Sequence, residues 1–420
     1  MNDHDPASRL LTRNGTPAPD AGEGRTVLIG FGESLSAPEV AWNLLDSGFR
    51  VAAFIRRGRR VPLRRLKDLT VVEVTAPEDG ARETVDQLLR VVELLRADAV
   101  LPLDDASIWV CEAASSGLGI PVAGSSGTHA RLILDKRLQL EAAEVAGFRI
   151  PETLCVPSVS EALRNDLFPI FVKPALAAAE IGGKLYQAPT CICASPQELR
   201  AFALRCRDDM PMLIQPLITG KGEGLFGQAG PNGVQAWSAH RRIRMMNPAG
   251  SGSSACRSLP IADQPTDCAE TMLGRAKWQG LFMIELLRDR FNRIWFMELN
   301  GRPWGSMALA LRRGFAYPAW TVMQTLDPSF SLPPCPAEEH MTCRHLGREI
   351  VHLMFILKAW NAPALMNGHS GWRAVAEVCR CNSRDHWYNW RPGNAPFFIE
   401  DTFGTVFEYI LNALRRRSSS

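Results

Sequence analysis

The chain has 420 residues, 46% apolar and 22% charged, with a net charge of +3. That length accommodates two or three domains with a sizeable core, and so small a charge gives no grounds for a nucleic-acid or membrane-surface partner. No apolar run reaches the length of a bilayer span, and eleven cysteines, odd in number and without a secretory leader, point to reduced thiols in the cytoplasm.

Residues 1–25 are polar, with acids, Pro and Gly, and read as a disordered leader. TVLIGFG then reads as a strand ending in Gly30-x-Gly32, SAPEVAWNLLDSG as a helix stopped by Gly48, and RVAAFIRR as a second strand. The helix ETVDQLLRVVELLRA precedes a third strand, DAVLPLDD, and this rhythm predicts a parallel α/β domain over 26–126. The Gly-x-Gly turn lacks the third glycine and the acidic residue of a dinucleotide fingerprint, so a tight turn is favoured over a nicotinamide or flavin site. Asp104 and Asp105 end a strand, where open α/β sheets place ligands, unless they simply cap the next helix.

A second domain is expected over 127–327, with a lid lobe at about 150–216. It opens with the helix ARLILDKRLQLEAAEVAG and continues through SVSEALRNDL to the strand FPIFVKPAL, where Lys173 interrupts an apolar run. Cys191 with Cys193, and Cys379 with Cys381, lack zinc-site spacing and read as small buried hydrophobes. MPMLIQPLI is a strand, and TGKGEGLFGQAG a glycine-dense turn into a hairpin. In VQAWSAHRRIRMM, alternation puts His240, Arg242 and Arg244 on one face and Arg241 on the other. NPAGSGSSACRSL reads as a flexible loop, and CAETMLGRAKWQG as a helix. Pro-rich residues 328–340 read as a linker, and 341–420 as a mainly helical C-terminal extension with a Trp-rich stretch, DHWYNWRPGNAPFF.

The stretch FMIELLRDRFNRIWFMELNGRPWGS, residues 282–306, holds two apolar runs around the polar turn RDRFNR, the pattern of a hairpin. A turn centred on Phe291–Asn292 sets Glu285 opposite Glu298 and Met283 opposite Asn300. Facing carboxylates on antiparallel strands repel, and burying them unpaired costs several kcal/mol more. A hard divalent cation removes the conflict, because carboxylate and amide oxygens suit magnesium, which in turn expects phosphate oxygens as further ligands. The alternative places both glutamates on a solvent face beside Arg288 or Arg293.

The strand lysine (IFVKP), the strand and Gly-rich turn LIQPLITGKGEG, and EL…MELNGRPWGS together resemble the ATP-grasp superfamily over roughly residues 26–325. The resemblance implies a parallel α/β domain followed by two α+β lobes that clamp ATP, with one or two Mg2+ ions or Mn2+ in their place. It assigns Lys136 and Lys173 to the phosphates and the backbone of Gln215, Pro216, Leu217 and Ile218 to the adenine. Glu223 falls to the ribose or adenine, Glu285, Glu298 and Asn300 to the metal, and Arg302 to the transferred phosphoryl group. Many members follow the strand lysine with a Gly/Ser-rich loop over the phosphates, whereas this chain has ALAAAEIGGKL, with only Gly182 and Gly183.

The activity implied is activation of a carboxylate as an acyl phosphate for attack by an amine. His240, Arg242 and Arg257 are the basic residues placed toward the carboxylate, Arg257 foremost. Small-molecule carboxylate and amine substrates are the partners expected, with a homodimer allowed and neither nucleic acid nor membrane. A non-catalytic ATP-binding regulatory module and, further off, a nicotinamide-dependent oxidoreductase are the competing readings.

Overall fold

The computed structural model describes residues 22, 24–247, 251–337, 339–359, 371–380 and 385–418. Nearly all of the predicted leader, residues 248–250 of the expected Gly/Ser loop, and Cys381 lie outside that set. Every described cysteine is a free thiol, and no helix among the described residues is long and apolar enough to cross a membrane.

The first unit is a four-stranded parallel sheet in the spatial order Leu69–Val74, Arg50–Arg56, Thr26–Gly30, Ala99–Pro102. Alternation along the central strand sends Val27 and Ile29 into a core with Val40 and Trp42 of the helix Ala37–Asp46. Leu28 goes to the opposite face with Leu88 and Val91 of the helix Ala81–Leu95. Both faces are therefore covered, as a parallel sheet requires. The edge strand Leu69–Val74 was not among the predicted elements. Exposure of Thr70 and Glu73 breaks its apolar run, as befits a sheet edge.

A second, antiparallel sheet runs Leu154–Val156, Met212–Pro216, Ile170–Pro174, Cys191–Cys193. It closes a small core of its own with Val159, Leu199 and Phe202 from the helices Val159–Ala162 and Pro196–Ala203. Cys193 is buried in that core, while Cys379 is exposed.

The third sheet has seven strands: Ile294–Asn300, Gly280–Arg288, Lys221–Gly230, Gly233–Asn247, Ser251–Leu259, Thr342–Arg344 and Asp385–Trp387. Two expectations change here. The glycine-dense stretch from Lys221 is not a turn but a ten-residue strand, because glycines leave room for large neighbours across the sheet. A Cβ on Gly227, for example, would lie 2.5 Å from the Phe282 ring. The expected Gly/Ser loop is a strand from Ser251 to Leu259, since both its neighbours offer unpaired backbone and Ala255 and Cys256 are buried.

The C-terminal extension is built into the molecule rather than appended. It is mainly helical, with helices Leu346–Ala359, Gly371–Cys379 and Ala395–Ser418, yet its two short strands complete the large sheet. Glu349, fully buried, takes ion pairs from Arg244 at 2.7 Å and Arg344 at 3.0 Å. Phe397 packs on Trp42 with ring centroids 5.1 Å apart, and the Asn389 N–H donates to Glu39 at 2.8 Å. The stretch read as a linker lacks regular structure but packs Phe330 and Leu332 against the core shared with the parallel sheet.

Candidate active site

The hairpin of strands Gly280–Arg288 and Ile294–Asn300 pairs Glu285 with Glu298 and Met283 with Asn300. Directly opposed residues share a face, so the two carboxylates and the amide converge as expected. The turn differs from expectation. It spans residues 289–293 around Phe291, and pairing runs from Arg288 with Ile294 beside the turn to Leu286 with Phe296, so Met297 forms a bulge that restores the register at the glutamates. Asp289 organises the turn by accepting from the N–H groups of Phe291 and Arg293, at 2.9 and 3.0 Å.

Four cations gather at these carboxylates. Lys136 Nζ lies 2.8 Å from Glu298 Oε1, and Arg242 Nη2 lies 2.7 Å from Glu285 Oε1. Lys173 Nζ reaches the carbonyl of Met297 at 3.4 Å. Arg302 donates from Nε to Asp105 at 2.6 Å, leaving its terminal nitrogens without a partner among the described residues. Burial works against the charge of Lys136, but Glu298 and Asp105 hold its pKa above the usual lysine value. For Lys173 the balance is reversed: burial, then the nearby Lys136, outweigh the pull of Glu298 and Glu285 and lower it to about 8. Asp105, which burial alone would raise, is brought below the usual carboxylate range by Arg302.

Local structure explains why these residues meet. Asp135 caps the helix Lys136–Val145, accepting from the Arg137 N–H at 2.9 Å, and the Lys136 N–H donates to Ala175 O at 2.8 Å, just past the strand that carries Lys173. Gln139, on the same helix face as Lys136, is buried and accepts from the Leu299 N–H at 2.8 Å, clamping the helix to the glutamate strand. Sequence reasoning missed Gln139; the available signal was a polar residue among Leu140 and Ala143 on the apolar face. Ser125, also missed, donates to Gly301 O at 3.0 Å. A Cβ at Gly301 would collide with Ser125 Oγ and approach Trp278 to 2.7 Å, so only glycine permits this approach beside Arg302.

Several residues expected at the site stand elsewhere. Arg257 is register partner to Arg241, which faces Glu223 and, through it, Leu286. That row belongs to the opposite face of the sheet from Glu285. Arg257 is exposed, with its Nε 3.3 Å from Thr342 Oγ1, and is not brought to the carboxylates. Glu223 is not open to a nucleotide either: its buried carboxylate is bound by Arg241 at 2.6 Å and Arg288 at 2.9 Å, which together carry its pKa below normal against the opposing effect of burial. A bulge at Ile243 turns Arg244 to the Arg257 face, toward Glu349, instead of beside His240 and Arg242.

His240 does share the Glu285 face, with Gly224 between them in register. Burial, then Arg242 and Arg313, push its pKa well below normal. It packs 4.3 Å from the Phe226 ring and lies 3.2 Å from Ser306 Oγ. The basic wall expected from SAHRRIR thus reduces to Arg242, with His240 neutral behind it. Gln215 is buried, donating to Thr153 Oγ1 at 2.8 Å, and the run Gln215, Pro216, Leu217, Ile218 joins the two antiparallel sheets. Of its backbone donors, Leu217 N–H is taken by Pro169 O at 3.0 Å.

Gly182 and Gly183, with φ of +60° and +77°, form the two-residue turn of a small hairpin, Ala179–Ile181 with Lys184–Tyr186. That hairpin is docked on the parallel-sheet unit. The Ala81 N–H donates to Gly183 O at 2.9 Å and the Leu185 N–H to Pro77 O at 2.7 Å, with Leu185 buried in that unit's core. Lys184 is exposed.

Among the described residues, no three of His, Cys, Asp and Glu gather as a metal set. Glu285, Glu298 and Asn300 lie on one face of the hairpin. Asn300 is buried, and its side chain has no hydrogen-bond partner among the described residues, so an amide oxygen stands ready beside two partly exposed carboxylates. An all-oxygen set of this kind fits a hard divalent cation.

A parallel α/β unit followed by a small antiparallel lobe and a large antiparallel lobe is the architecture of the ATP-grasp fold, and this chain has that fold. An L-amino acid ligase from Bacillus licheniformis is similar at TM-score 0.57 and 15% identity over 74% of this chain and 78% of that one. Biotin carboxylase from Campylobacter jejuni, solved as a beta-gamma-ATP complex, gives TM-score 0.59 and 14% identity over 77% and 76%. N5-carboxyaminoimidazole synthetase from Staphylococcus aureus gives 0.58 and 14% over 81% and 86%. No protein-family model and no curated protein matches the sequence.

Proposed function

We propose that the protein is an ATP- and Mg2+-dependent ligase that joins a small carboxylic acid, amino acids foremost, to an amine in the cytoplasm. The observation that carries this reading is the facing pair Glu285 and Glu298, each answered by one cation, with Lys173 and Arg302 beside them. Lys136 and Lys173 bind the triphosphate, where compact ammonium groups in a partly dry cleft hold phosphate oxygens most strongly. The unpaired terminal nitrogens of Arg302 take the transferred phosphoryl group, aligned by the Asp105 carboxylate on Nε. Glu285, Glu298 and Asn300 would hold the Mg2+, which neutralises charge on the phosphates when bound.

In the reaction, a carboxylate oxygen of the substrate attacks the γ-phosphorus and the bond to ADP breaks. The amine then attacks the acyl carbon, losing a proton as inorganic phosphate departs. Arg242, with one edge on Glu285, is the residue placed to bind the substrate carboxylate on the same sheet face. The likeness to an L-amino acid ligase favours amino acids as both partners. A phosphate-release screen with pairs of amino acids, followed by mass detection of product, tests the proposal. A dipeptide-sized product with stoichiometric phosphate is expected. ATP binding without turnover across the panel would favour a regulatory module instead.

A further inference from the structure

The helix Ala395–Ser418 packs one side on the molecule through Phe397 and Thr402, both buried. Its other side carries an apolar stripe in the open: Ile399 is 53% exposed, Phe403 70%, Phe407 60%, Ile410 38% and Leu414 56%. The last four follow the 4-3-4 spacing of a coiled-coil seam, placing all of them in a narrow band along one face. Together the five side chains expose roughly 500 Å² of apolar surface, at or beyond what a soluble monomer leaves in one patch.

We propose that this stripe is the contact surface for a second copy of the chain, the two helices packing antiparallel about a two-fold axis near Phe407. Two observations select that partner. The stripe is close to its own reverse in spacing, so in the antiparallel arrangement Ile399 meets the partner subunit's Leu414 and Phe403 meets the partner subunit's Ile410; a two-fold interface demands such self-complementarity. Doubling the patch gives roughly 1,000 Å² before flanking residues are counted, close to the lower bound of a stable interface. A lipid surface fits less well, because membrane-surface helices line their polar face with Lys and Arg, whereas the polar residues flanking this stripe are Glu400 and Glu408 and the arginines come only after Leu414.

Sedimentation equilibrium of the full-length protein tests this. The wild type is expected at twice 46.4 kDa, and the double variant Phe403→Asp, Phe407→Asp at 46.4 kDa with an unchanged circular dichroism spectrum, since both rings are exposed in the single chain. A wild type that stays at 46.4 kDa at tens of micromolar overturns the proposal. So does a dimer that persists in the double variant. A monomeric wild type that pellets with lipid vesicles while the double variant does not would assign the stripe to a membrane surface instead.

Discussion

Lys173 is a buried lysine with no carboxylate of its own, its pKa lowered to about 8 by burial and by Lys136. Such a group costs stability while it waits for an anion. Lys173→Met is therefore predicted to weaken ATP binding by about tenfold to a hundredfold while leaving the nucleotide-free protein as stable or more so. Calorimetric ATP titration and urea unfolding together check it, since a lysine with only a structural role would lose stability. His345 offers a pH test away from the site. Burial, then Arg348, lower its pKa to about 3 from an ordinary 6.5. The unfolded chain takes up a proton below 6.5 that the folded chain refuses, so this contribution is complete above 6.5 and is lost as pH falls toward 3. Asp401, 3.3 Å away and raised by burial to about 6, acts in the opposite sense. The stability advantage of wild type over His345→Gln is accordingly predicted to shrink as pH falls from 7 toward 4 in urea titrations.

Element by element, close approaches decide where the reactive groups stand. Gly301→Ala forces a Cβ onto Ser125 Oγ and Trp278 and is predicted to cost about 1–3 kcal/mol. Gly305→Ala, which meets only the flexible end of Leu35 at 2.9 Å, should cost clearly less in the same unfolding assay. The hairpin itself was legible from the apolar period-two runs around RDRFNR, and the expected Glu285–Glu298 pairing holds because the bulge at Met297 offsets a turn centred on Phe291 rather than between Phe291 and Asn292. The bulges at Met297 and Ile243 were not legible, since an extra residue leaves the apolar pattern nearly unchanged while moving Arg244 to the other face. Arg257 was misplaced for a related reason. Residues 251–259 are rich in Gly and Ser and carry no strand pattern, yet two neighbouring strands recruit them into the sheet. Glu223 and Gln139 depended on partners, Arg288 and Leu299, far away in sequence.

At the scale of the whole molecule, the C-terminal extension holds the first and third sheets together. Phe397 enters the parallel-sheet core beside Trp42, and Glu349 ties the helix Leu346–Ala359 to Arg244 of the large sheet. Phe397→Ala is predicted to cost about 3–5 kcal/mol, measured by denaturant unfolding, although residue 397 is remote in sequence from every proposed ligand of ATP. The cleft depends on the same assembly, because Asp105 of the parallel-sheet unit fixes Arg302 of the large lobe. The central claim is that Glu285 and Glu298 face each other to hold a divalent ion and its nucleotide. Calorimetric titration of ATP into wild type and Glu298→Ala, each with Mg2+ and with EDTA, tests it most directly. The account predicts Mg2+-dependent binding in the wild type and its loss in a folded Glu298→Ala; equal binding by both proteins, or wild-type binding indifferent to EDTA, would contradict it.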